Sequence, residues 1–254
     1  MVPTRPGVRP PGQVRLYCFP YSGAGASAYR RWGESLPAGV EVVPVELPGR
    51  ETRFGEPPFD RMGPLVEALG RELPIPEGAP FALFGHSLGA LVAFELARRV
   101  RRSSGALPVH LFVSACRAPH LPRRYPAVYD LPEPAFRDAL RAIGGTPGEI
   151  LENEELMEIV GPVIRADYAV CDTYRYVPDE PLDCPLSAFG ALDDPIVAPS
   201  ELEGWKEHTR GPFRLRLLPG GHLFLREQRN LILRALTADL SPCFSEAAAG
   251  RDSS

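Results

Sequence analysis

Phe81-Ala82-Leu83-Phe84-Gly85-His86-Ser87-Leu88-Gly89-Ala90-Leu91-Val92-Ala93-Phe94-Glu95-Leu96-Ala97 is the stretch on which the reading of this chain turns. Its first four residues form an unbroken apolar run of the kind found in strands buried on both faces. From Leu88 to Arg102 the pattern becomes helical. Between strand and helix lies G-x-S-x-G, from Gly85 to Gly89. A serine on such a turn sits in strained backbone, with glycines where neighbouring chains approach closely. The helix that follows directs its free N–H groups and dipole toward the serine oxygen. The pattern is short enough to recur by chance, and the bland alternative is a βα turn carrying an incidental serine. The strand before it and the helix after it give the motif its meaning.

Outward from this turn, short apolar runs alternate with helical patterns. Val14–Phe19, Val40–Val45, Val109–Ala115, Leu186–Phe189 and Phe213–Leu218 read as further strands. The alternation implies βαβ units around a parallel sheet. Pro44 fits poorly, because proline is badly tolerated inside a central strand. About 70 residues separate Ala115 from Leu186, far more than the dozen or so a crossover needs. Two stripes occupy the gap: Phe136, Leu140 and Ile143, then Leu156, Ile159, Val160, Val163 and Ile164. The expected organisation is an α/β-hydrolase fold, with a mostly parallel central sheet and helices on both faces. Residues 14–116 and 183–240 would form the core and 117–182 a helical insertion. By fold analogy the insertion acts as a lid; otherwise it is a helical subdomain with no gating role. Residues 1–13 and 245–254, rich in Pro, Gly, Ala and Ser, read as flexible tails.

A serine hydroxyl needs a base, and in this fold the chain order is serine, acid, histidine. His110 falls in a strand, His120 opens the insertion, and His208 ends a polar helical stretch where an exposed histidine is unremarkable. His222 differs. Gly220-Gly221-His222 follows the last strand and precedes an amphipathic helix from about Leu223 to Leu240. A glycine-opened loop at a strand's carboxyl end is where a base should project. The competing reading of His222 is an ordinary helix-start residue. His86, inside the elbow, is expected to pack. The acid should follow the penultimate strand, where Asp193 and Asp194 compete. Asp194 is favoured because it precedes Pro195, which biases it to an extended or turn conformation. Asp193 is the alternative acid. The oxyanion hole needs two backbone N–H groups. Leu88 should give one, and the loop Phe19-Pro20-Tyr21-Ser22-Gly23-Ala24-Gly25-Ala26-Ser27 the other. That loop lacks the spacing and lysine of a phosphate-binding loop.

Composition narrows the remaining classes. The 254 residues are 44% apolar and 24% charged, with a net charge of −4, which does not suit a nucleic-acid binder. The five scattered cysteines show no CxxC spacing, so neither a disulfide framework nor a metal site is expected, and a reducing compartment fits. No apolar run reaches the roughly 18 residues of a membrane span, and the N-terminus lacks a signal's apolar core. A cytoplasmic monomer is expected.

The chain also resembles a known family. Cys18 to Ser27 is similar to that family's CFPHAGGxAS opening, with Tyr21 where histidine is commoner. Leu47-Pro48-Gly49-Arg50-Glu51 and Phe84 to Ala90 match two further motifs. Gly144-Gly145-Thr146-Pro147 and Arg165-Ala166-Asp167-Tyr168 match segments of the family's lid. The run from Asp194 through Trp205 to Phe224 matches its C-terminal part. Over residues 14–240 the chain resembles type II thioesterases of polyketide and non-ribosomal peptide assembly lines. The resemblance implies hydrolysis of acyl thioesters from the phosphopantetheine arm of acyl or peptidyl carrier proteins, clearing stalled units. It implies Ser87 as nucleophile, His222 as base and Ser22 as the second oxyanion amide. No cofactor is implied beyond the partner's phosphopantetheine. Arg98-Arg99, Arg101-Arg102 and Arg123-Arg124 are candidate contacts for an acidic carrier; a solvated helix end is the plain alternative for the first two. Rival readings are an oxygen-ester hydrolase or lipase with the same triad, a hydrolase-fold binding protein that has lost catalysis, and a terminating domain cut from a megasynthase. The methionine start and the tails favour a stand-alone enzyme over the last.

Overall fold

The computed structural model describes residues 13–75, 78–144 and 146–243. The expected tails therefore lie almost wholly outside the described residues. Six strands, β1 (Val14–Phe19), β2 (Val40–Pro44), β3 (Phe81–His86), β4 (His110–Ser114), β5 (Leu186–Ala191) and β6 (Phe213–Leu218), form one sheet in the order β2-β1-β3-β4-β5-β6. Every neighbouring pair is parallel. The helices are α1 (Met62–Glu72), α2 (Leu88–Ser104), α3 (Glu133–Ile143), α4 (Gly148–Glu152), α5 (Glu154–Thr173), α6 (Pro199–Glu203) and α7 (Arg229–Leu240).

Strand residues alternate between two cores, as the pleat requires. Tyr17, Phe19, Leu83, Leu111, Val113 and Ala188 face one side, under α1 and α2. Leu16, Cys18, Phe84, Phe112 and Phe189 face the other, under α7 and the aromatic pair Tyr29 and Trp32. Helices thus cover both faces, and β3, β4 and β5 are buried throughout. Pro44 ends β2, which is an edge strand, so its missing N–H disrupts no central ladder.

The opposite edge, β6, alternates arginines with apolar residues. Arg214 and Arg216 both pair with Asp239 on α7. Ser187 Oγ donates to the same carboxylate at 2.7 Å, and His110 Nε2 lies 3.0 Å from that oxygen. This second serine–histidine–aspartate group is fully buried at Ser187. Its serine proton already belongs to Asp239, so it ties β4, β5, β6 and α7 together and presents no nucleophile.

Between β4 and β5 the chain forms α3, α4 and α5, which share a small core of Val128, Phe136, Leu140, Leu151, Met157 and Ile164. Phe136 and Leu140 are buried as their spacing suggests. On α5 the expected stripe points inward only in part: Val163 and Ile164 are buried, whereas Leu156 and Ile159 are 41% and 51% exposed. Met157 and Gly161 complete the inner face. The apolar residues of α5 cover more than one face, so periodicity alone could not choose which one faces inward.

Candidate active site

The strand order reverses direction at β1 and β3, and the crevice outside their carboxyl ends is where α/β sheets hold ligands. Ser87 lies just past β3, and the Tyr21–Ala24 turn just past β1. Ser87 has φ 55° and ψ −117°, a strained conformation for a non-glycine residue. Its N–H donates to Ser114 O at 2.7 Å, which helps hold the turn. Gly89 is needed for close approach: a Cβ there would stand 2.1 Å from Phe19 O at the end of β1.

His222 Nε2 lies 3.0 Å from Ser87 Oγ, and its Nδ1 lies 2.9 Å from Asp194 Oδ2. A carboxylate only accepts, so Nδ1 carries the proton and Nε2 is free to accept from the serine. Asp194 Oδ1 accepts from the N–H groups of Ile196 (2.8 Å) and Val197 (3.3 Å). The Asp194 side chain is 0% exposed, whereas Asp193 is exposed. Of the two candidate acids, the structure brings Asp194 to the histidine.

The other histidines are held elsewhere. His86 packs, as expected, but it also reaches the site. Its Nε2 donates to His222 O at 2.9 Å, so its Nδ1 accepts from Ser114 Oγ at 2.9 Å. Burial, and then the neighbouring His222, push the His86 pKa down to about 3, so it stays neutral. The helix expected from about Leu223 does not start there. That helix is replaced by turns until α7 begins at Arg229. His208 is not the exposed residue its polar surroundings suggest: it is 5% exposed, in a 3-10 turn between Phe94, Trp205 and Tyr176. Tyr21 packs edge-on against His86 and its hydroxyl accepts from Arg226 at 3.0 Å.

Ser22, Ser87, Leu88 and His222 line one pocket, whose walls include Leu91, Val128, Ile143 and Val197. Cys116 and Cys171 also line it. Burial raises both thiols, Cys116 to about 12, so neither supplies a thiolate to the pocket near neutral pH. Arg123 is committed to Asp172 at 2.7 Å, while Arg124, 52% exposed on the pocket's rim, lies 3.4 Å from Glu201. The Arg98–Arg102 run is not a free basic face. Arg98 is buried against Glu95, Phe94 and Tyr176, Arg101 and Arg102 pair with Asp179, and Arg99 pairs with Glu67. Among the described residues no cluster could hold a metal ion, and no helix is long and apolar enough to cross a membrane.

A parallel sheet flanked by helices, with a strained serine between β3 and α2 and a histidine on the loop after β6, defines the α/β-hydrolase class. Within it the chain belongs to the thioesterase family, whose model, described as "Thioesterase domain", matches residues 14–240. The gramicidin S biosynthesis protein GrsT of Aneurinibacillus migulanus is 43% identical over 217 residues, covering 85% of each chain. RedJ, a thioesterase from the prodiginine biosynthetic pathway in Streptomyces coelicolor, has a solved structure similar to this one with a TM-score of 0.83. It is 41% identical, over 94% of this chain and 97% of RedJ. The type II thioesterase BorB of the borrelidin biosynthetic cluster matches with a TM-score of 0.81 and 39% identity, over 90% of this chain and 93% of BorB. The protein is thus an enzyme of the thioesterase family, and among its relatives are proteins of polyketide and non-ribosomal peptide pathways.

Proposed function

We propose that this enzyme hydrolyses acyl thioesters carried on the phosphopantetheine arm of acyl or peptidyl carrier proteins, releasing stalled or aberrant acyl units as free acids. The observation that carries the reading is the chain of hydrogen bonds Ser87–His222–Asp194, whose serine and histidine line an apolar pocket, in a thioesterase-family chain. Ser87 Oγ attacks the thioester carbonyl while its proton passes to His222 Nε2. Asp194 stabilises the resulting imidazolium and holds its orientation. Charge that develops on the carbonyl oxygen meets the N–H groups of Leu88 and Ser22. Collapse of the tetrahedral intermediate breaks the C–S bond, and His222 returns its proton to the departing sulfur. A thiol ionises near pH 8.5, so this group leaves with little need of acid assistance. Water then attacks the acyl-serine, giving one proton to His222, which passes it to Ser87 Oγ as the acid departs.

The helical insertion over residues 117–182 would act as the lid of this pocket, since Val128, Ile143, Tyr168 and Cys171 are among its walls. Carrier recognition would fall to the pocket rim at Arg124, because the arginines of α2 are engaged within the protein. The test is a hydrolysis panel on carrier proteins loaded with acyl chains of varied length, beside matched oxygen esters. Preferential turnover of the carrier-bound thioesters is expected. A strong preference for oxygen esters refutes the reading, and failure of a fluorophosphonate to label Ser87 supports a binding protein without catalysis.

A further inference from the structure

Two sequence segments, Leu47-Pro48-Gly49-Arg50-Glu51 and Arg165-Ala166-Asp167-Tyr168, have no role in the chemistry above. In the folded chain they meet. Arg50 Nη2 donates to Asp167 Oδ1 at 2.7 Å, and Arg50 Nη1 donates to Asp167 Oδ2 at 2.8 Å. This two-pronged pair is buried, with side chains 8% and 4% exposed. Both partners also hold the loop after β1. Arg50 Nη1 donates to Ala24 O at 2.9 Å, and Gly23 N–H donates to Asp167 Oδ2 at 2.7 Å. The turn these bonds grip is closed by Ala24 N–H donating to Tyr21 O at 2.9 Å, and Ser22 is at its corner. α5 presses on the same turn: a Cβ at Gly23, whose φ is +76°, would stand 2.9 Å from Ile164 Cγ1.

We propose that Arg50 and Asp167 are positioning residues, which clamp the Tyr21–Ala24 turn to α5 and thereby fix the Ser22 N–H that receives the oxyanion. The inference rests on the active-site reading given above. A buried ion pair is a weak source of stability, since desolvation offsets much of its attraction and apolar residues of equal volume often serve as well. An apolar pair could not give Gly23 N–H an acceptor or Ala24 O a donor. An oxyanion hole depends on such preorganisation, because its donors act only when already aimed at the developing charge. The clamp also makes the hole depend on the docking of α5, a helix from a distant part of the chain.

The test compares Asp167→Asn and Arg50→Lys with wild type and Ser87→Ala. The readouts are kcat and KM on an acyl-pantetheine thioester, per active site titrated with a fluorophosphonate. A third is the affinity for a trifluoromethyl ketone analogue, whose adduct places an oxyanion in the hole. Asp167→Asn keeps the shape but replaces one accepting oxygen with a donor. It is expected to lower kcat at least about tenfold with KM within about twofold, and to weaken ketone binding by a similar factor. Arg50→Lys keeps the charge without the fork and is expected to show the same split; it carries the test if Asp167→Asn does not fold. Fewer titratable sites, with kcat per site and ketone affinity unchanged, would mean a merely structural pair and overturn the proposal. Loss of turnover in Ser87→Ala beside wild-type behaviour in Asp167→Asn refutes this inference alone. Turnover retained in Ser87→Ala refutes the active-site reading and this inference with it.

Discussion

Asp194→Asn is the substitution whose consequence can be worked out atom by atom. Oδ1 of Asp194 accepts from two backbone N–H groups, Ile196 and Val197. An asparagine must keep its carbonyl oxygen there, because turning its NH2 toward those donors would leave buried groups unpaired. Its NH2 then faces His222 Nδ1, where the carboxylate oxygen stood at 2.9 Å. A donor at that point forces Nδ1 to accept, so the imidazole proton moves to Nε2 and points at Ser87. The base is then in the wrong tautomer, with its shape and packing intact. In serine hydrolases with this arrangement such a change costs about 10⁴-fold in kcat, or about 5 kcal/mol of barrier. The assay is kcat on an acyl-pantetheine thioester, with thermal unfolding as a check on the fold. Asp193→Asn, at an exposed position, should stay within about twofold of wild type, in the range of a neutral surface change. Asp194→Asn within about tenfold of wild type, or Asp193→Asn as damaging as Asp194→Asn, would refute the assignment of the acid.

Three further outcomes are expected. Ser87→Ala and His222→Ala should each abolish turnover without unfolding the protein, read by hydrolysis rate and circular dichroism; activity retained in either variant breaks the proposed mechanism. Stability should fall as pH drops from about 6.5 toward about 4. Burial lowers the pKa of His86 to about 3, that of His208 to about 4, and that of His110 also. The unfolded chain therefore binds protons in that window which the folded chain refuses. A melting temperature that stays flat between about pH 7 and about pH 5 would contradict this. Arg124→Glu should raise KM for acyl-carrier protein several-fold, more at low salt, and leave KM for acyl-pantetheine unchanged. Equal effects on both substrates would move the docking surface elsewhere.

The elbow from Gly85 to Gly89 was legible because strand, turn and helix are local patterns, each set by neighbours in sequence. The same holds for the six strands and for a histidine on a glycine-opened loop at His222. Locality also explains the misreadings. The apolar pattern after Gly221 suggests a helix from about Leu223, but residues 222–228 form turns and α7 begins at Arg229. His208 looked exposed, because its burial comes from Phe94 and Tyr176, remote in the chain. The arginines of α2 looked free to meet a carrier, because Asp179, the partner of Arg101 and Arg102, lies near the end of the insertion, remote in the chain.

What the sequence determined by itself was the order of elements, the elbow serine and a short list of partners for it. The choice between adjacent Asp193 and Asp194 belonged to the tertiary structure, since only packing decides which of two neighbouring side chains turns inward to meet Nδ1 of His222. The same is true of the Arg50–Asp167 clamp. Its residues lie 117 positions apart, and a contact over that separation leaves no periodic trace in the sequence, existing only once β1 and α5 have been brought together.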